Sequence, residues 1–165
     1  MRRIIGVLVE NKFGVLAHVS GLFSARGFNI VSLAVGETED PTISRMTIVA
    51  EGDDRTLEQI KKQLNKLIDV IKVYDLTDTN HIDRELVLVR VKVNAKNRQD
   101  AIKAVETVGA TVANVGVEYV TIEAAGDQNK VATLFELLKP FGIAEVVRTG
   151  RIAVAVDDKP VAKSK

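Results

Sequence analysis

The chain has 165 residues, 46% of them hydrophobic, with 23 basic against 22 acidic side chains and a net charge of +1. That length suits one domain or two small ones, and small halves often need a partner surface. Balanced charge, 4% aromatics and no tryptophan argue against nucleic-acid binding, which draws on a basic face and stacking rings.

Cysteine is absent, so there is neither a disulfide framework nor thiolate chemistry, and a cytoplasmic protein is expected. No apolar run approaches the roughly 20 residues that span a bilayer. The opening "MRRIIGVLVENKFG" meets Glu10 and Lys12 too early for a signal peptide. Neither a leader nor a membrane partner is expected.

Residues 4–9 form a short apolar run and predict a buried strand. Residues 15–25 predict a helix, because Leu16, Val19, Leu22, Phe23 and Arg26 recur at spacings of three and four. Gly27 is a natural C-terminal stop. Residues 29–37 resume as a strand, and Asp40-Pro41 marks a turn. Residues 43–50 predict the next strand, with Met46, Ile48 and Ala50 on one face and Arg45, Thr47 and Val49 on the other. After Gly52-Asp53-Asp54, a second helix carries Leu57, Ile60, Leu64 and Leu67. Residues 70–76 predict a final strand. The order β-α-β-β-α-β is the split βαβ, or ferredoxin-like, arrangement. Four antiparallel strands would carry both helices on one face. Apolar residues occupy both parities of several strands, so the other face should be covered by another copy or by the second half.

The second half repeats the order. Residues 86–93 predict a strand. Ala101, Ile102, Val105 and Val108 make a helical stripe that Asn97 can cap. Residues 111–116 and 119–125 form a strand pair. Asp127 opens a helix carrying Val131, Leu134, Phe135 and Leu138, which Pro140 and Gly142 end. Residues 143–149 and 152–156 are short extended segments around "RTGR". The fold class expected is α+β: two ferredoxin-like βαββαβ domains, each an antiparallel sheet with helices on one face. The domains are placed at 1–77 and 85–157, with a linker at 78–84 and a disordered tail at 158–165.

Catalysis finds little to work with. His18 lies on the first helix and His81 in the linker, with no metal-ligand spacing around either. Ser20 and Ser24 would need a tertiary partner to become nucleophiles. The acidic pairs at 53–54 and 157–158 read as a helix start and a tail feature rather than as carboxylates opposed across a pocket. Gly6, Gly14 and Gly21 make neither a dinucleotide fingerprint nor a phosphate loop. No catalytic residue and no metal ligand is assigned.

The turn "ENKFG" before the first helix has another use. The first helical turn exposes N–H groups without intrahelical partners, and they favour a carboxylate. Asn11 adds an amide that can donate and accept. Together these suit an amino acid, with Val15 and Leu16 beside its head group. Asn29 would add an amide from a neighbouring copy. The same residues also serve as ordinary turn formers, and the residues alone leave both readings open.

The segments "GVLAHVSGLFSARGFNIVSLAVGETED", "ISRMTIV", "LEQIKKQLNKLIDVIKVYDLT", "RELVLVRV" and "VVRTGRIAV" resemble the small, regulatory subunits of acetolactate synthase over residues 2–156. The first half resembles an ACT domain, an amino-acid-sensing module. The resemblance implies a division of labour. A large catalytic subunit holds thiamine diphosphate, a divalent metal and usually FAD, and joins pyruvate to a second 2-oxo acid. The small subunit, without cofactors of its own, raises that activity and confers feedback inhibition by valine in branched-chain amino-acid synthesis. It also implies a homodimer through the ACT domains, with valine between them. Asn11, Gly14, Val15 and Leu16 would come from one copy, and Asn29 and Ile30 from the other. Lys12-Phe13 stands where many relatives have an acidic residue and proline, and His18 replaces a frequent arginine. A free-standing amino-acid sensor or dimeric scaffold is the alternative.

Overall fold

The computed structural model describes residues 1–156, so the predicted tail at 158–165 lies outside the described residues. The chain divides into two units. One comprises Met1–Ile82 together with the segment from Arg151, the other Asp83–Gly150.

In the first unit, strand β1 (Arg2–Glu10) leads into helix α1 (Val15–Ala25). Then follow β2 (Ile30–Glu37), β3 (Ile43–Glu51), helix α2 (Asp54–Leu64) and β4 (Val70–Asp75). The sheet order is β2-β3-β1-β4, antiparallel throughout. This is the ferredoxin-like order the sequence predicts. The period of two in the strands meets the 3.6-residue period of the helices in one core. Ile5, Val7 and Val9 of β1 and Met46, Ile48 and Ala50 of β3 face Val15, Val19 and Phe23 of α1 and Leu57, Ile60 and Leu64 of α2. Phe28 packs edge-on to Phe23, their ring centroids 6.2 Å apart, where the chain turns from α1 into β2. Asp53 caps α2 by accepting from the N–H of Thr56 at 2.8 Å.

The second unit holds most of β5 (His81–Lys92), then α3 (Arg98–Glu106), β6 (Thr111–Val115), β7 (Tyr119–Gly126), α4 (Gln128–Leu138) and β8 (Ile143–Arg148). Its sheet order, β6-β7-β5-β8, repeats the first. Val87, Val89 and Val91 join Val120, Ile122 and Ala124 against Ala101 and Val105 of α3 and Val131, Leu134 and Leu138 of α4. Asp127 caps α4, accepting from the N–H of Lys130 at 2.8 Å.

Three readings need correction. The segment after Gly150 does not stay with the second domain. Strand β9 (Ile152–Ala155) belongs to the first unit, where Ala153 is buried with Ile4 and Leu76. Arg45 Nη2 also donates to the carbonyl of Ala153 at 3.0 Å. Burial against a distant apolar pair decided this, and no local pattern carries it. The stretch read as a linker at 78–84 is partly strand, since β5 starts at His81 and β9 pairs with it. Asn97 stands before α3 but does not cap it. Its Oδ1 turns back to accept from the N–H of Asn94 at 2.7 Å, while Asn94 Oδ1 accepts from Lys96 and Asn97. That closed pair of turns engages the side-chain oxygens of both residues locally.

The face of the first sheet opposite its helices is covered in part by β9. Gly6 lies under Tyr74 on this face: a Cβ there would meet the ring at 3.3 Å. Glycine thus lets Tyr74 settle onto the sheet between Arg45 and Lys72, whose cations lie 5.3 and 5.1 Å from its ring centre.

Candidate functional site

The turn between β1 and α1 is built by its ends. Glu10 N–H donates to Asp69 O at 2.9 Å, and Asn11 N–H donates to Thr42 O at 2.7 Å. These bonds pin the end of β1 between the start of β4 and the start of β3. Gly14 then takes φ +84°, a left-handed conformation open to glycine at little cost, and the helix begins at Val15. Glycine supplies no side-chain cap. His18 N–H bonds Gly14 O at 2.9 Å and Val15 N–H reaches Lys12 O at 3.4 Å, while the N–H groups of Leu16 and Ala17 have no partner among the described residues. No acidic side chain occupies the first turn of α1. The helix therefore brings no acidic side chain of its own to its positive end.

Asn11 is held by its amide nitrogen. Nδ2 donates to Glu37 Oε1 at 3.0 Å and to the carbonyl of Pro41 at 2.9 Å. Two acceptors around one nitrogen assign the amide orientation and use both of its hydrogens. Oδ1 is left as an acceptor on an exposed side chain. Val15 is buried in the core and Leu16 is 46% exposed. Phe13, beside them, is fully exposed. Lys12 is bonded to Glu10 at 2.5 Å, which raises its pKa chiefly through that hydrogen bond. His18 Nδ1 stands 3.6 Å from Asp69 Oδ2.

Asn29 and Ile30 are elsewhere. Asn29 O accepts from Glu51 N–H at 3.2 Å, and Ile30 pairs with Ala50. Thr42, which anchors Asn11, precedes β3, and Glu51 ends it. At about 3.3 Å per residue the two anchors lie roughly 30 Å apart along that strand. Within one chain, then, Asn11, Gly14, Val15 and Leu16 come together, and Asn29 and Ile30 do not join them.

Sequence reading missed Glu37 and Pro41, which set the direction of Asn11. Nothing local marks either residue, since the contacts span 26 and 30 positions. The other chemistry-bearing side chains stay apart. Ser20 Oγ donates to Ala17 O within its own helix, and His81 Nδ1 lies 2.8 Å from Thr79 O. Among the described residues no three His, Cys, Asp or Glu side chains converge as a metal site, and no helix is long and apolar enough to cross a membrane. A groove of about 660 Å³ in the second unit is lined by Arg90, Asn114, Gly116, Val117, Glu118, Tyr119 and Thr121. None of the sequence-predicted site residues is among them.

Comparison with known proteins places this geometry in context. A family model described as an AHAS small subunit-like ACT domain matches residues 5–72, and one described as the small subunit of acetolactate synthase matches residues 84–157. A probable acetolactate synthase small subunit of Archaeoglobus fulgidus is 46% identical over 96% of this chain and 99% of its own. The acetolactate synthase small subunit of Mycolicibacterium smegmatis is 48% identical over 98% of this chain and 95% of its own. The crystal structure of an acetolactate synthase small subunit from Thermotoga maritima matches with a TM-score of 0.85 at 37% identity, over 96% of this chain and 99% of that one.

Proposed function

The chain belongs to the family of regulatory, non-catalytic small subunits of acetolactate synthase in branched-chain amino-acid synthesis, and from this we propose that it stimulates the catalytic subunit and makes it sensitive to valine through the turn at Asn11. The observation that carries the reading is the orientation of Asn11. With Nδ2 committed to Glu37 and Pro41, Oδ1 is free to accept from an ammonium group. The unpartnered N–H groups of Leu16 and Ala17 supply the complementary half, for a carboxylate. Exposed Leu16 offers contact to an aliphatic side chain.

The site needs two copies. Strand β2 is a sheet edge, and Val31 and Val35 on it are exposed. An unpaired edge of this kind is a template for another strand. Antiparallel pairing of β2 with its twofold mate sets the start of one β2 beside the end of the other. Ile30 opens the strand and Glu37 closes it. Asn29 and Ile30 of the mate thereby approach Glu37, which holds Asn11. Effector binding would then favour one arrangement of the pair, and unequal affinity for two arrangements is what regulation requires.

The test is acetolactate formation by the matching large subunit, with and without this chain, across a valine titration. Stimulation without valine and its loss as valine rises are expected. Stimulation that valine leaves untouched would remove the effector from the reading. No effect in either condition, with both proteins folded, would favour a free-standing sensor.

A further inference from the structure

We propose that His18 is a further residue of the effector turn, placed to take up a proton as the effector's carboxylate docks, so that valine is held more tightly on the acid side of the imidazole range. This rests on the Asn11 reading and names a regulation of that same site. Helical side chains lean toward the N-terminus, and residue i+4 lies over residue i. His18 is four positions after Gly14, and its ring folds back onto the start of α1. Cε1 and Nε2 both lie 4.0 Å from where a Cβ on Gly14 would stand. The ring thus borders the turn that presents the N–H groups of Leu16 and Ala17. Nδ1 is turned to Asp69 Oδ2 at 3.6 Å, while Nε2 has no hydrogen-bond partner among the described residues.

The charges around the ring set the direction. Asp69 stands just ahead of β4. Glu10 ends β1 and holds Lys12 of the turn at 2.5 Å. Glu37, at the end of β2, is engaged by Asn11. The first turn of α1 adds no acidic side chain. Without an effector, the ring answers to Asp69. An effector carboxylate on the N–H groups of Leu16 and Ala17 adds a second anion beside it. Two anions favour the doubly protonated ring, with Nδ1–H toward Asp69 and Nε2–H toward the effector. Binding and proton uptake are then linked: each strengthens the other. The gain is complete where the ring is already protonated in the free protein and is lost as pH rises through the range of the complex. Imidazole is the side chain that ordinarily changes charge between about pH 5 and 8, while carboxylates and lysines ordinarily titrate outside that window. The side chain is 64% exposed, so solvent holds the effect to that of a surface ion pair.

Calorimetric titration of valine into the full-length protein is the test. Kd should be about threefold lower at about pH 6 than at about pH 8. Near the middle of that range, the heats in two buffers of different ionisation enthalpy should show net proton uptake on binding. His18→Gln should still bind valine, with neither the pH dependence nor the proton uptake. His18→Arg, a permanent cation, should keep the parent's acid-side affinity across the range and take up no proton. The chain has two histidines, and His81→Gln should behave as the parent. Circular dichroism establishes that each variant is folded. Proton uptake that survives in His18→Gln, or a parent Kd indifferent to pH, would overturn the role of His18 and leave the Asn11 reading standing. A parent that binds no valine at either pH would overturn both.

Discussion

Asn11 and Glu37, 26 residues apart, are joined by a 3.0 Å hydrogen bond in which the amide nitrogen donates. That bond turns a residue with four hydrogen-bonding options into a fixed outward acceptor. Asn11→Ala should weaken valine binding by at least about tenfold, or 1.4 kcal/mol, while basal stimulation persists. Glu37→Ala removes one of the two acceptors holding Nδ2 and should weaken binding by less, with Glu37→Gln close to the parent because its carbonyl still accepts. Calorimetric titration of valine into each variant checks the order. Equal affinity in Asn11→Ala and the parent would remove the turn from the site.

Gly14 tests the turn's backbone separately. There is room for a Cβ, whose nearest neighbour would be the His18 ring at 4.0 Å. The obstacle is φ +84°. Gly14→Ala should cost about 1–2 kcal/mol, the penalty for a left-handed L-residue, and should loosen the start of α1. A urea midpoint shift together with weaker valine binding is expected. An unchanged midpoint would mean the turn relaxes to another conformation.

In the second unit, Glu85 is buried at 5% exposure and meets Arg148 through two hydrogen bonds, at 2.9 and 2.6 Å. Arg148 is half exposed and its guanidinium also lies over Phe135 at 5.5 Å. Solvent weakens the pair, but Arg148→Ala still strands a desolvated carboxylate. A loss of about 2–3 kcal/mol is expected. Glu85→Gln with Arg148→Met should recover most of it. Thermal denaturation of the three proteins reads the difference.

Tyr74 has a buried hydroxyl without a partner among the described residues, and burial raises its pKa, with Arg45 opposing. The neutral phenol is therefore favoured by folding. Its contribution is complete below the ordinary tyrosine pKa of about 10 and is lost as pH climbs through the raised value. Tyr74→Phe keeps the ring between Arg45 and Lys72 and removes the stranded oxygen. It should match or exceed the parent in stability at neutral pH and flatten the alkaline decline above pH ~10. A clear loss at neutral pH would show that the hydroxyl has a partner after all.

The acid limb involves Asp53. Its pKa is lowered, mainly by the N–H of Thr56. The charged cap therefore contributes fully above the ordinary aspartate value and is lost as pH falls through the depressed one. Asp53→Asn still accepts that bond, so it should fold with a shallower acid decline. Identical acid profiles would exclude the cap as a source of the pH dependence.

Much of this protein is written locally. Alternation in β3 separates Met46 and Ile48 from Arg45 and Thr47, and the spacing of Leu57, Ile60 and Leu64 marks the buried stripe of α2. Gly14, Asp53 and Asp127 mark helix starts where the structure has them. Short-range periodicity and capping are properties of neighbouring residues, so the element order and the doubled ferredoxin-like plan follow from sequence. The turn of the candidate site was legible for the same reason. Asn97 was not, because a cap and an Asx turn demand the same residue and only the backbone around it decides between them.

What needed the tertiary structure are relationships that skip the chain between partners. Ala153 leaves the second domain's sequence to pack with Ile4 and Leu76. Glu85 finds Arg148 across 63 residues. Glu37 and Pro41 aim Asn11 from the end of β2 and the turn after it. Asn29, expected to reach the turn from a neighbouring copy, is bonded to the far end of β3 from the turn of its own chain. The physical reason is common to all four: burial and hydrogen bonding reward whichever groups the sheet order brings side by side, and sheet order joins residues whose local patterns carry no mark of one another.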